Sequence, residues 1–292
     1  SPYRSGGYSK YFGAYTTGNA GSLSSPSDPA FGFGTNDFTI EFWANFDTLA
    51  LSGDGVTIFS NLTGGGNSAR PHLWISAGVI KYHTSGATQI QSSYAINIDQ
   101  WYHIALSRSG TDTKLFINGT QTGATYTDNN DYGATAPLVI GAYWETSAGV
   151  STTKTFHGHM VDFRVTKGLA RYTTDFTPPT ELLESDSNTT LLISNLPYIK
   201  DSSSNSHDIT TNGNTTTQPL SPYDYSEYDP TVHGGSVYFG GNGDYLTFNG
   251  SSIDFGTGDF TVEAFVYHTG GSDDTIISDQ SGFTFTYGVS GK

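Results

Sequence analysis

Apolar and polar residues alternate along several short segments of this chain. Residues 38–46 have the sequence FTIEFWANF, in which every second residue from Phe38 to Ala44 is apolar. Because side chains of a strand point alternately to the two faces of a sheet, this pattern predicts a strand with one buried face. Further alternating or apolar segments lie at 56–60, 101–108, 114–118, 138–142, 156–165 and 191–193. About ten to twelve short strands in roughly the first 190 residues, without amphipathic helices, predict an all-β jelly-roll sandwich.

A nine-residue phrase occurs twice. FGTNDFTIE at residues 33–41 returns as FGTGDFTVE at 255–263. A repeat distance this long indicates two copies of a domain rather than a solenoid. Since the second copy has few residues before Lys292, we expect it to be incomplete. The predicted organisation is a domain at 1–199, a linker at 200–233 and the start of a second domain at 234–292.

The linker prediction depends on composition. Residues 201–218 consist almost wholly of Ser, Asn, Thr and Asp, and Ile209 is an isolated apolar residue among them. An extended connector and a segment packed along the first domain are both compatible with this composition, which favours the connector.

Charge and cysteine content exclude several classes of function. The chain has 27 acidic and 12 basic residues, a net charge of −15, and no cysteine. This acidity argues against nucleic-acid binding, and the lack of cysteine excludes disulfides. No apolar run is long enough to predict membrane insertion. A Ser/Thr/Asn/Gly-rich chain of this kind is typical of a virion-surface or extracellular protein.

Four motifs carry a resemblance to a known family. They are GTNDFTIEFW at 34–43, WYHIALSR at 101–108, LFING at 115–119 and FHGHMVDFRV at 156–165. Together they resemble laminin-G-like (LamG-like) domains of the concanavalin A-like lectin/glucanase superfamily, over about 8–195 and again over 234–292. The resemblance implies a jelly roll of two curved antiparallel sheets that binds carbohydrate or protein, often with calcium. Fold alone does not choose among these functions.

The end of the first domain carries a narrower resemblance. KGLARY at 167–172, followed by FTPP at 176–179, is similar to LamG-like domains of tailed-phage structural proteins, particularly those of marine and cyanobacterial phages.

Hydrolysis is not expected. Retaining glycosidases need two carboxylates about 5–5.5 Å apart, and the superfamily's hydrolytic E-x-D-x-x-E pattern is absent. Glu41 has no acidic partner on its strand face. We therefore expect it to pair with Arg108 or Arg164 across the sheet, in a protein that is not an enzyme.

Glycan binding requires aromatic faces for sugar CH groups and polar groups for hydroxyls. Three segments provide them: one holds Tyr82, which follows Lys81 on another strand, and the other two hold the candidate glycan-binding residues Arg70, His72, Trp74, Tyr143, Trp144 and Glu145. The first three alternate along one strand, and the last three open a polar loop. Trp101 is expected in the core. Calcium is a candidate cofactor, with Asp128 and Asp131 as its predicted ligands in an Asp/Asn-rich loop.

These observations predict a non-enzymatic virion surface protein: a phage fibre, tail or capsid-decoration component. Its expected partners are host surface polysaccharide, other virion proteins, or both. A homo-oligomer or multicopy assembly would gain avidity from weak sites. The main alternative is an extracellular bacterial adhesin or surface-fibre module, and a secreted glycan hydrolase is the third. The sequence leaves open the glycan, the position on a particle and the oligomeric symmetry.

Overall fold

The computed structural model describes seven stretches of the first 223 residues and several short ones after them. They are 7–13, 21–49, 55–61, 69–133, 137–145, 149–151, 154–223, 237–239, 243–247, 259–262, 264, 266, 274–278 and 284–287. The chain divides into two compact units, Tyr3–Gly234 and Gly235–Lys292. In the described residues no helix is long and apolar enough to cross a membrane.

Strands make up nearly all of the regular secondary structure in the described residues. In chain order they are β1 (Ser9–Phe12), β2 (Ser22–Ser24), β3 (Phe38–Phe46), β4 (Val56–Ser60), β5 (His72–Ser76), β6 (Val79–Thr84), β7 (Ala87–Gln91), β8 (Trp101–Ser109), β9 (Asp112–Ile117), β10 (Thr120–Thr127), β11 (Val139–Ile140), β12 (Trp144–Glu145), β13 (Gly149–Val150), β14 (Gly158–Lys167), β15 (Thr189–Ile193), β16 (Thr210–Asn212), β17 (Thr215–Gln218), β18 (Asp274–Ser278) and β19 (Thr284–Tyr287). Among the described residues the one helical segment is a 3₁₀ turn at Pro29–Phe31.

The first unit is a jelly-roll β-sandwich, as the alternating pattern predicts. Its first sheet has the order β10-β9-β8-β3-β14-β1-β17, with β15 also paired to β14. Its second sheet has the order β16-β2-β11-β4-β5-β6-β7. Neighbouring strands of both sheets are antiparallel.

Aromatic rings from both sheets meet in the core. Phe42 on β3 stacks on Phe163 of β14 with ring centroids 5.1 Å apart. Phe59, from β4 of the second sheet, meets Phe42 edge-on at 6.3 Å. All three rings are buried, so the inward face of β3 is the apolar face that the alternation predicts.

The opposite face of β3 is also largely buried, which differs from the prediction of a half-exposed strand. Thr39 and Glu41 are fully buried there. Residues 168–184, which we name the covering segment, follow β14 and lie over this face. The backbone N–H of Arg171 donates to Thr39 Oγ1 at 2.9 Å, and the Tyr172 hydroxyl donates to Glu41 Oε2 at 2.6 Å. The covering segment, about 130 residues away in sequence, thus buries the polar face of β3.

The prediction of a linker at 200–233 is wrong for residues 201–223. β16 pairs with β2 and β17 pairs with β1, so this segment closes an edge of each sheet. Asp201 is fully buried, and its carboxylate accepts backbone hydrogen bonds from Leu192, Ser203 and His207. Ser, Thr and Asn serve well in edge strands because the ladder is made by backbone groups, which composition does not register. The first domain therefore extends beyond 199 to at least residue 223.

The second unit is described only in part. β18 and β19 form an antiparallel hairpin. Phe239, which matches Phe12 in the repeat, is 49% exposed, whereas Phe12 is fully buried. In the repeated phrase at 255–263, residues 255–258 and Glu263 lie outside the described residues, and 259–262 are described. The second LamG-like copy stays a prediction.

Candidate functional site

Glu41 is the centre of a buried ion cluster on the outer face of the first sheet. Its Oε1 lies 2.6 Å from Arg164 Nη2 and 3.0 Å from Arg164 Nε. Its Oε2 accepts the Tyr172 hydroxyl and lies 3.3 Å from Nε2 of the buried His103. Of the two expected ion-pair partners, Arg164 is therefore confirmed. A carboxylate with both oxygens engaged in this way and no access to solvent is suited to holding strands together.

The charge state of Glu41 follows from this geometry. Burial alone disfavours the charged carboxylate. The His103 ring, the Arg164 charge and the Tyr172 hydroxyl outweigh that effect and hold the pKa of Glu41 below its usual range. Burial, together with the nearby charge of Glu41, raises the pKa of the Tyr172 hydroxyl. The cluster therefore holds an ionised Glu41 and a neutral Tyr172.

Arg108, the other expected partner of Glu41, has a different role. Its guanidinium donates to the carbonyls of Gly110, Asn130 and Asp128 at 2.9–3.0 Å. It thereby fixes the loop that follows β10, the loop of the predicted calcium ligands.

The geometry of that loop does not fit a calcium site. Both oxygens of the fully buried Asp128 carboxylate are already acceptors, from Asn130, Thr113 and Tyr132 at 2.7–3.1 Å. Asp131 Oδ1 accepts the Gly133 backbone N–H at 2.7 Å. Among the described residues no group of three or more His, Asp or Glu is arranged to hold a metal ion. Calcium binding stays a prediction without support from this arrangement.

The outer face of the second sheet gathers three of the predicted glycan-binding residues. Trp74 on β5 lies in register with Lys81 on β6, and the Lys81 ammonium is 4.8 Å from the centre of the indole ring. A methyl group added at Gly55 would lie 2.5 Å from the indole carbon Cε3, so glycine at that position lets the backbone approach Trp74 closely. The indole is thus packed against the backbone and carries a cation.

A second ring and cation lie beside the first. His72, two residues before Trp74, has its ring 5.4 Å from that of Tyr143 and 5.9 Å from that of His83. The Lys154 ammonium is 5.8 Å from the centre of the Tyr143 ring. We name these six residues the cation–aromatic face: His72, Trp74, Lys81, His83, Tyr143 and Lys154.

His72 supplies a neutral polar group to this face. Burial, with smaller contributions from the positive charges of His83 and Lys154, lowers its pKa to about 3. Its Nε2 lies 3.3 Å from the Thr57 hydroxyl. At neutral pH the imidazole is therefore an uncharged hydrogen-bonding group between two lysines.

The other predicted glycan-binding residues are placed less favourably. Arg70 lies just before β5 and, like His72, is largely buried, with 8% and 9% of the two residues exposed. Trp144 and Glu145 form β12, which pairs with β13, but their side chains lie outside the described part of the structure.

Three members of the face are not among the predicted site residues: Lys81, His83 and Lys154. Lys81 and His83 follow from the strand register, which sets them opposite Trp74 and His72. The sequence contains the hairpin, since the Ala77-Gly78 turn separates β5 from β6, but the facing pairs require the exact register. Lys154 ends the polar loop that Tyr143 opens, and the sequence does not show that the two side chains meet.

The chain matches a family model over residues 17–169, just over half of its length. That model describes the concanavalin A-like lectin/glucanases superfamily, Laminin_G_3 type. The chain belongs to this superfamily. The match covers all four motifs noted in the sequence, which lie on or beside β3, β8, β9 and β14.

The chain is also similar to several solved structures. A candidate carbohydrate-binding protein from Bacteroides ovatus has 18% identity and a TM-score of 0.53, with 75% of this chain and 62% of that chain covered. A heptameric SAP-like pentraxin from Limulus polyphemus has 16% identity and a TM-score of 0.43, with 57% and 79% covered. Domains LG4-5 of the mouse laminin α1 chain have 14% identity and a TM-score of 0.40, with 60% and 48% covered. No curated protein gives a significant match to the sequence.

Proposed function

We propose that the first unit is a non-catalytic binding module that holds acidic glycans on its cation–aromatic face. The observation that carries the proposal is the occurrence of two ring–ammonium pairs, Trp74 with Lys81 and Tyr143 with Lys154, on one outward sheet face. The superfamily membership and the description of the Bacteroides protein as carbohydrate-binding are consistent with it.

The chemistry of the face favours a sugar acid. An ammonium over an aromatic ring is attracted by the negative face of that ring. A cation held in this way can also pair with an anion. A uronate, sialate or sulfate group would bind there, while CH groups of the sugar ring would contact exposed parts of the aromatic side chains. The neutral His72 would accept or donate to a hydroxyl without adding charge.

Nucleic acid is a poorer fit to the same face. Nucleic-acid surfaces are basic stripes or patches in proteins of positive charge, because each phosphate contact contributes through counterion release. Here two lysines lie on a chain of net charge −15. A sparse anionic polymer with apolar ring faces matches two ammonium groups and their rings better than a dense polyphosphate does.

The binding test uses Lys81→Gln in the whole chain, titrated with polygalacturonate, hyaluronan and a sialylated glycan. We expect the variant to bind its best acidic glycan about tenfold more weakly, since a single charge-assisted contact contributes on the order of 1.5 kcal/mol. Lys200→Gln is the matched control: it removes the same charge from an exposed lysine elsewhere in the unit. Equal affinity in wild type and Lys81→Gln, or no binding of any acidic glycan, would overturn the proposal.

We further propose that the module is displayed on a virion, as part of a fibre, tail or capsid decoration, where many copies add avidity. The similarity of residues 167–179 to tailed-phage domains and the cysteine-free, Ser/Thr/Asn-rich composition support this location. Peptides of this chain should be found by mass spectrometry in gradient-purified phage particles. Recovery only from a bacterial cell envelope would favour the adhesin alternative instead.

A further inference from the structure

A row of polar and aromatic side chains crosses the outer face of the first sheet, on the opposite side of the sandwich from the cation–aromatic face. Strand register sets Tyr11 of β1 beside His159 of β14, His159 beside Asn45 of β3, and Asn45 beside Trp101 of β8. Four neighbouring strands therefore contribute one residue each. We name Tyr11, Asn45, Trp101 and His159 the cross-strand row.

The row is held in a fixed conformation. The rings of Tyr11 and His159 lie 4.7 Å apart, and those of Trp101 and His159 lie 6.4 Å apart. Trp101 is half-buried rather than in the core, contrary to the expectation from its motif. Since Asn45 lies between β8 and β14, the Trp101 and His159 rings lean toward each other beside its amide.

A hydrogen bond with Ser9 sets the orientation of the His159 ring. Its Nδ1 lies 2.8 Å from the Ser9 hydroxyl, which also donates to the carbonyl oxygen of Gln218 at 3.3 Å. The tautomer of the ring decides whether Nδ1 donates to this hydroxyl or accepts from it. Nε2 of His159 is the ring nitrogen that remains for a ligand, as a donor or an acceptor according to the tautomer. Burial lowers the pKa of His159, which agrees with a neutral ring.

The row has unused hydrogen-bonding capacity. No hydrogen bond joins the Asn45 amide or Trp101 Nε1 to another described residue, and neither is among the fully enclosed unpartnered groups. Burial and the negative charge of the exposed Asp47, just after β3, raise the pKa of the Tyr11 hydroxyl. The row thus offers one indole donor, one amide that donates and accepts, one imidazole nitrogen and one carboxylate.

We infer that the cross-strand row is a second glycan site, and that it takes a neutral oligosaccharide. Alternating donors and acceptors match sugar hydroxyls, each of which donates and accepts at once, and flanking rings match the apolar faces of sugars. The row has no lysine or arginine and ends at Asp47, so charge disfavours an acidic glycan there. Strands are about 4.8 Å apart, so the row spans about 14 Å, which suits an oligosaccharide rather than one sugar ring.

The neighbouring residues limit the site to this row. One row further along the sheet, Trp43 is in edge contact with Tyr223 at 6.3 Å, so residues of the last part of the unit cover that position. Beyond β1, the register continues to Thr216 of β17, whose exposed hydroxyl extends the polar surface.

The test is a titration of the whole chain with neutral oligosaccharides: gluco-, xylo-, manno- and galacto-hexaoses. We expect one of them to bind, with Trp101→Ala at least tenfold weaker and Lys81→Gln unchanged. Trp101→Phe, which keeps a ring but loses the donor, should be intermediate. Because Trp101→Ala could unfold, the ¹⁵N chemical shift of His159 Nε2 is followed in the wild-type chain, where saccharide binding should shift it.

The outcomes separate the two sites. Absence of binding by all four hexaoses, or equal binding by a folded Trp101→Ala variant, overturns the second site and leaves the acidic-glycan proposal intact. Neutral saccharide binding that Lys81→Gln abolishes also overturns it, since the sugar then lies on the other sheet. If both variants bind acidic glycan as tightly as the wild type does, the result instead counts against the cation–aromatic face.

Discussion

Replacing Glu41 by glutamine is expected to lower the free energy of unfolding of the first unit by about 3–5 kcal/mol, because it leaves the mostly buried Arg164 without its counter-charge. Three groups converge on this carboxylate: Arg164 from β14, Tyr172 from the covering segment and His103 from β8. The amide keeps the shape of the side chain and one acceptor oxygen, but it lacks the negative charge that offsets the buried guanidinium. Urea denaturation followed by tryptophan fluorescence measures the loss.

Two comparisons make this result specific. Glu181→Gln removes the same charge from an exposed glutamate of the covering segment and should change stability by less than about 0.5 kcal/mol. The double variant Glu41→Gln, Arg164→Met should recover part of the loss, because it removes both members of the pair. An unchanged denaturation midpoint in Glu41→Gln would contradict the buried ion cluster.

The same variant should change the response to acid. The pKa of Glu41 is lower in the folded state than in the unfolded chain, where it is about 4.3. Its contribution to stability is therefore present above that value and is lost as pH falls through the folded-state pKa. Unfolding of Glu41→Gln should lack this component of acid sensitivity.

Ending the chain at residue 199 is expected to prevent the first unit from folding as a stable monomer, whereas ending it at 223 should not. The shorter chain lacks β16 and β17, so β1 and β2 expose open edges. It also lacks Asp201, whose carboxylate accepts the Leu192 N–H, and Tyr223, whose hydroxyl donates to the buried Asp162 at 2.6 Å. Buried groups left without partners cost about 1–3 kcal/mol each, so a few of them approach the 5–15 kcal/mol of a typical domain.

Size-exclusion chromatography and thermal unfolding of the two chains measure this difference. In the chain ending at 223, Asp201→Ala isolates one contribution: it should lower the melting temperature without removing the edge strands. Matching melting curves for the chains ending at 199 and 223 would mean that residues 201–223 only lie against the domain.

The strand β3 and the edge strands β16 and β17 show what could and could not be predicted from the sequence. Alternation in residues 38–46 identifies the buried face of β3 because burial in the sandwich depends on local side-chain type. Burial of the other face depends on the covering segment, and nothing near Glu41 in sequence indicates it. The edge strands β16 and β17 pair through backbone groups, so their Ser/Thr/Asn composition resembles that of a linker.

The candidate site was predictable to a similar degree. Aromatic content indicates Trp74 and Tyr143 as binding residues, and alternation adds His72 to the same strand face as Trp74. Their cations could not be predicted, because Lys81 reaches Trp74 through exact hairpin register and the contact of Lys154 with Tyr143 depends on how the chain between them folds. Trp101 shows the reverse case: its motif suggests a core residue, yet its side chain is half-buried at the end of the cross-strand row.

The pairing of β1 with β17 has a mechanical consequence. Ser9 and Gln218 lie directly opposite each other, at the start of one strand and the end of the other. A tensile force that pulls the chain before Ser9 away from the chain after Gln218 would load this ladder one hydrogen bond at a time. Such peeling needs far less force than sliding a whole ladder at once. Under load, Tyr223 would have to leave Asp162 first, and β17 would detach next, lengthening the chain while the aromatic interior stays packed.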